Sequence, residues 1–170
     1  MSDIGIGPAI FERRGDTIQA RLSLVLDNHM DEVWAALTRP ERLVDWLAPG
    51  EIELKPGGAA KLDFAESGVV IRSTVSAIEA PNLLEYSWSA PGEPDRPLRW
   101  ELEPLGAMVQ LTLTLTVPAS EDAGRSAAGW AAHLEMLAAA LAGVPIKFPF
   151  EVFKAARDEY REQLAAELAN

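Results

Sequence analysis

The chain has two histidines and no cysteine, so few side chains can move a proton near neutral pH or hold a transition metal. His29 precedes the first stretch of helical periodicity and His133 lies far downstream. Neither stands at ligand spacing from a second His, which argues against a metal site. The lack of Cys removes disulfides, thiolate nucleophiles and iron–sulfur clusters. A serine nucleophile needs a strained elbow with an oriented His and carboxylate. No Gly-x-Ser-x-Gly occurs, and the nearest candidate, Ser67 in Glu66-Ser67-Gly68, reads as a hairpin turn. Gly5-Ile6-Gly7 lacks the third glycine and the preceding strand of a dinucleotide fingerprint, and no Gly-Lys-Ser/Thr phosphate loop is present. That leaves His133, three residues after Trp130 and one before Leu134. It is either a hydrogen-bonding or proton-transfer group at a cavity mouth or a plain boundary histidine, because helical spacing alone does not fix its direction.

The acidic residues have a simpler reading. Glu101 and Glu103 share the strand face opposite Trp100 and Leu102, which places them in water. Arg72 and Glu85 each interrupt an apolar or small strand, and adjacent strands could pair them across a convex surface or, at greater cost, inside. The larger signal is aromatic. Trp34, Trp46, Phe64, Trp88, Trp100 and Trp130 are either ordinary core or the walls of a gap between a curved sheet and a helix.

The elements that must position these residues follow from periodicity. Ile18, Ala20, Leu22, Leu24 and Leu26 alternate with polar residues, the mark of a strand with one buried face. Met30, Val33, Trp34 and Leu37 share a helical face, with Asp31 and Glu32 in the first turn. Thr38-Arg39-Pro40-Glu41 has the form of a capping box opening a second short helix with Leu43, Trp46 and Leu47 on its apolar side. Strands bounded by turn residues then come in series, around Ile52, Leu62, Val69 to Ile78, Leu83 to Trp88, Leu98 to Leu102 and Leu111 to Val117. Short connections predict hairpins and an antiparallel sheet. Ser126 to Leu141 forms a long helix with Trp130, Leu134, Leu137 and Leu141 as its stripe, ended by Gly143 and Pro145. Phe150 to Leu168 forms an amphipathic helix with Phe153, Tyr160, Leu164 and Leu168 on one side. This helix can dock on its own domain or on a second copy.

The order predicts an α+β helix-grip architecture: a curved antiparallel sheet of about six or seven strands around a long helix, two short helices after the first strand, and an extra C-terminal helix. At 170 residues one domain is expected. We divide it as residues 1–16, a lead-in or edge element, 17–146, the core domain, and 147–170, the added helix. The 15 Lys and Arg against 26 Asp and Glu give a net charge of −11, which repels nucleic acids and anionic membranes. No apolar run approaches the roughly 18 residues of a membrane span, and no secretory core follows Met1, so membrane insertion is not expected and a cytoplasmic location is.

Val33-Trp34-Ala35-Ala36-Leu37-Thr38-Arg39-Pro40-Glu41-Arg42-Leu43, then Trp46, Gly57-Gly58, Leu84-Glu85-Tyr86-Ser87-Trp88, Gly129-Trp130 and His133-Leu134 together resemble the activator of heat-shock ATPase homologue family. This family lies within the START-like, birch-pollen-allergen-like superfamily. The resemblance spans roughly Ile18 to Gly143 and implies a helix-grip fold. Superfamily members include lipid carriers, hormone receptors, aromatase/cyclases and chaperone ATPase activators, so one fold serves many roles. The last long strand departs from the related pattern: Val109 stands where a Thr is usual and Leu115 where a His is, which implies a drier interior. His29 replaces a common Pro. The leading expectation is a non-catalytic domain holding a small apolar or aromatic molecule against Trp46, Phe64, Trp88, Trp100 and Trp130, with His133 as polar handle and no cofactor. A co-chaperone-like interaction domain and an aromatase/cyclase-like enzyme using His133 are the alternatives, and monomer and homodimer are both open.

Overall fold

The computed structural model describes residues 8–64 and 69–168. The Gly5-Ile6-Gly7 run, the Ser67 turn and the Leu168 side chain lie outside the described part. Eight strands form one antiparallel sheet: β1 (Ile10–Arg14), β2 (Thr17–Leu26), β3 (Gly50–Ile52), β4 (Ala59–Phe64), β5 (Val69–Glu79), β6 (Leu83–Ser87), β7 (Pro97–Leu105) and β8 (Met108–Pro118). Their spatial order is β1-β2-β8-β7-β6-β5-β4-β3, so the sheet has two margins and does not close. The eighth strand is β1, which Gly15 folds back onto β2 through a two-residue turn at φ 64.

Alternation along each strand sends one side chain in two toward a common core. Leu22 lies opposite Leu113, Leu113 opposite Trp100, and Trp100 opposite Leu84. All four are buried. Val109 and Leu115 are buried as well, and Thr38 and Ser89 are the buried polar residues among those described. Helices α1 (Met30–Thr38) and α2 (Pro40–Leu43) fill one end of the sheet, and α3 (Ala123–Leu141) crosses its apolar face with Trp130, Leu134, Leu137 and Leu141 inward. Burial of each such leucine is worth about 1.5–3 kcal/mol, which is what holds α3 to the sheet.

Three local expectations are corrected. The capping box does not form: Arg39 is the N-cap of α2, and the Thr38 hydroxyl instead donates to the Trp34 carbonyl one turn back, 2.7 Å away. Thr38 still belongs to α1, so its side chain follows that helix. Helix α2 ends at Leu43, and the chain turns through Val44 to Leu47. The Arg72–Glu85 pair is not made either: the register sets Arg72 opposite Lys61, with its amide reaching the Ser89 carbonyl beyond β6, while Glu85 lies opposite Ala77 and Arg99. Glu85 takes a hydrogen bond from the Ser76 hydroxyl at 2.8 Å and pairs with Arg99 at 3.4 Å. β5 pairs with β4 along its first half and with β6 along its second, with a bulge between Val75 and Ala77 in the second half; a bulge of this kind locally bends and twists its strand.

Helix α4 (Phe150–Leu168) runs back along α3 on the outside. The two approach closely at Gly124, where an added Cβ would sit 3.0 Å from Arg161 Cγ and 3.2 Å from its backbone nitrogen. Beside it, Asp122 caps α3 by accepting from the Arg125 amide at 3.0 Å and pairs with Arg161. The Arg161 hydrogen bond holds the Asp122 carboxyl below its ordinary value. Phe11 of β1 stacks edge-on against Tyr160, and Gln163 donates to the Ala9 carbonyl, so α4 also ties down the first strand.

Candidate functional site

Between α3 and the β4–β5 side of the sheet lies a cleft of about 730 Å³. Phe64 at the end of β4, Val69 and Ile71 of β5, and Trp88 just past β6 form the sheet side. Arg125, Ser126, Gly129, Trp130 and His133 form one face of α3. Phe148, Phe150 and Phe153, from the α3–α4 connection and the first turn of α4, supply a third wall. That connection starts at Gly143, whose φ of 81 lets the chain leave α3 in the left-handed conformation a side chain resists.

Of the seven aromatic and imidazole residues singled out in the sequence, Phe64, Trp88, Trp130 and His133 meet in this cleft. Trp46 and Trp100 do not line it: each is only 1% exposed and belongs to the sealed core behind it. Trp34 stays on α1, packed against the core. The buried and open groups are nonetheless one continuous stack. Trp46 meets Trp100 edge-on at 5.7 Å, Trp100 meets Trp130 at 5.8 Å, and Trp130 meets Trp88 at 4.8 Å. Trp88 meets Phe64 at 5.5 Å, and His133 touches Trp130, Phe64 and Phe148 at 5.6, 6.1 and 5.5 Å. Each such contact adds about 0.5–1.5 kcal/mol beyond its buried area and fixes ring orientation, so the cleft wall is preformed. Phe148, Phe150, Arg96 and Glu121 were not visible in the sequence as site residues. Phe148-Pro149-Phe150 was the one available signal, two aromatics flanking a proline in a connection.

His133 is held by the turn after α2. Its Nδ1 lies 3.1 Å from the Trp46 carbonyl, and Trp46 in turn donates its indole N–H to the Ala36 carbonyl at 2.7 Å. A carbonyl only accepts, so Nδ1 carries the proton and Nε2 is an acceptor. Burial pushes the imidazole below its ordinary value of 6.5 and outweighs the bond to Trp46, which pulls the other way, so the ring is neutral at pH 7. No buried side-chain N or O lacks a partner among the described residues, and Nε2 has none in the protein, so it opens onto the cleft. Deeper, burial holds the Tyr86 hydroxyl protonated far above the usual phenol value while the Trp100 side chain hydrogen-bonds to it, which makes that pair structural.

The other end of the cleft is charged. Arg96 grips Glu121 with two hydrogen bonds of 2.9 and 2.8 Å and reaches Glu93 at 3.3 Å. Glu121 is the main cause of the raised Arg96 pKa. His29, in contrast, is exposed at the start of α1, where its backbone carbonyl accepts from Glu32 and Val33. Among the described residues no group of three His, Asp or Glu side chains is placed to hold a metal ion. Among the described residues no helix is long and apolar enough to cross a membrane.

An open antiparallel sheet gripping a long C-terminal helix, with an aromatic cleft between them, defines a START-like helix-grip domain. Residues 27–142 match the family model described as Activator of Hsp90 ATPase homolog 1-like protein, and the chain belongs to that family. Several solved structures share the fold. The solution structure of CalU16 from Micromonospora echinospora is 23% identical, covers 99% of this chain and 98% of its own, and superposes with a TM-score of 0.76. The protein encoded by BPP1335 of Bordetella parapertussis is 28% identical over 96% of this chain and 94% of its own, with a TM-score of 0.72. DynU16, a protein of the dynemicin biosynthetic locus, is 25% identical over 78% of this chain and 49% of its own, with a TM-score of 0.67. No curated protein matches the chain.

Proposed function

We propose that this chain is a non-catalytic START-like domain that binds a small apolar or aromatic molecule in the cleft between β4–β6, α3 and the start of α4. The observation that carries this is the cleft itself: about 730 Å³, walled by Phe64, Trp88, Trp130, Phe148 and Phe153 around a single neutral imidazole. That volume is within the range of about 300–1,000 Å³ of small-molecule sites, and mostly apolar walls with a few placed polar groups are their usual make-up. The likeness to DynU16, from the dynemicin biosynthetic locus, supports the same reading. Trp46 and Trp100 act behind the wall, holding Trp130 and His133 in place, rather than as contacts.

Native mass spectrometry of the protein purified from its own source, followed by denaturing extraction, tests this. A stoichiometric small aromatic compound released on denaturation supports the proposal, and protein that is empty and takes up no aromatic compound opposes it. An aromatase/cyclase-like enzyme is the second reading, favoured by His133 Nε2, an unprotonated base opening onto the cleft. It requires turnover that His133→Asn abolishes. A co-chaperone-like role is favoured by the family and by the exposed Val144, Ile146 and Phe150. It requires a chaperone ATPase to be stimulated by this protein and less so by a Phe150→Ser variant.

A further inference from the structure

The α3 wall of the cleft has a polarity. Arg125, Gly129 and His133 are spaced by four residues and so form a row about 12 Å long on one face of the helix. At one end, among the described residues, the Arg125 guanidinium makes no hydrogen-bonded ion pair, though its charge also acts on Asp122, and the Ser126 hydroxyl beside it makes no hydrogen bond. Both are donors. At the other end, His133 Nε2 is an acceptor, because Nδ1–H is committed to the Trp46 carbonyl. Between them stands Gly129, where a Cβ would meet nothing within 4 Å. A glycine inside a helix costs about 1 kcal/mol relative to alanine, and here it leaves the floor of the cleft flat.

Resting on the ligand-binding reading above, we infer that the ligand is an elongated aromatic acid: a flat ring system over Gly129, its carboxylate on Arg125 and Ser126, and a hydroxyl or N–H donor at its far end on His133 Nε2. Arg96 is not the anchor, since Glu121 and Glu93 already take its hydrogen bonds. The net charge of −11 repels an acid in general, so recognition of one has to come from a local cation, and Arg125 supplies it. The His133 end selects for a donor, because an acceptor there would face the Nε2 lone pair with no hydrogen between them. Two fused rings with substituents at opposite ends match the row.

Isothermal calorimetry with 2-naphthol, 6-hydroxy-2-naphthoate and 6-methoxy-2-naphthoate tests this on the full chain. The hydroxynaphthoate is expected to bind about tenfold tighter than 2-naphthol, and Arg125→Gln to erase that advantage while leaving 2-naphthol unchanged. The methoxy compound, which cannot donate, is expected to bind several-fold more weakly than the hydroxy one. Gly129→Leu, which fills the floor, is expected to abolish binding of all three while the melting curve shows the protein still folded. If 2-naphthol binds and the carboxylate adds nothing, or Arg125→Gln leaves its advantage intact, the acid class is overturned and the cleft reading stands. If none of the three binds, the cleft reading falls with it.

Discussion

Trp100 and Trp88 both stand against Trp130, yet they live in different places. Trp100 sits at the centre of the sheet, flanked by Leu113 and Leu84, and its side chain hydrogen-bonds to Tyr86. Trp88 sits past the end of β6, half-buried, with one side against Trp130 and the other toward the cleft. The sheet is continuous under both. What differs is the cover: α3 packs on β2 and seals Trp100, while a cleft separates it from the β4–β5 side. The same residue type is thus core in one half and wall in the other, and the deciding factor is cover, not composition.

The largest effects should fall on the sealed half. Trp100→Ala is expected to lose about 3–5 kcal/mol in urea unfolding, from the cavity and the stranded Tyr86 hydroxyl. Trp88→Ala should lose less than half as much. Equal losses would break the distinction between core and wall. Asp122→Ala removes both the α3 cap and the Arg161 contact and is expected to cost about 1–2 kcal/mol, with Asp122→Asn retaining most of it through the cap.

The two glycines of α3 sharpen the contrast further. Gly129→Ala, into open space, is expected to raise stability by about 0.5–1 kcal/mol. Gly124→Ala meets the Arg161 backbone and should lie at least about 1 kcal/mol below it; thermal melts of the two variants side by side decide this. The smallest effect concerns His133. Its folded pKa is depressed by burial, so the unfolded chain binds the extra proton first as pH falls. Stability is therefore lost on acidification from about pH 7 through the ordinary histidine value and levels off below the folded one. His133→Asn, which keeps a donor to the Trp46 carbonyl, should flatten this part of the stability–pH curve, a difference of well under the other effects.

The strands were legible because β2, β7 and β8 alternate without interruption, and a period of two has one physical meaning. The grip of the sheet on α3 followed from the order of elements and from the resemblance carried by the stretch from Val33 to Leu43. Half of the site was not legible. Nothing in the local sequence separates Trp46 and Trp100 from Trp88 and Trp130, since all are inward-facing and the separation arises from where the cleft opens between α3 and the sheet. Phe148 sits in a proline-bounded connection with no periodicity and Phe150 opens α4 off its apolar stripe, so no pattern marked them as site residues. Arg96 and Glu121 are 25 residues apart, and only the fold joins them. The capping box failed for a related reason: Thr38 matched the motif, but α1 had already claimed it.

An open sheet carries a hazard that barrels escape, because strands at its margins offer unpaired amides on which another chain can template. β3 answers this by being only three residues long. β1 answers it with chemistry: Phe11 is tucked beneath Tyr160, while Glu12, Arg13 and Arg14 face water in sequence along the free margin. An incoming strand would have to desolvate those charges before its first hydrogen bond formed. The short segment ahead of β2 thus disfavours strand addition at this margin of the sheet.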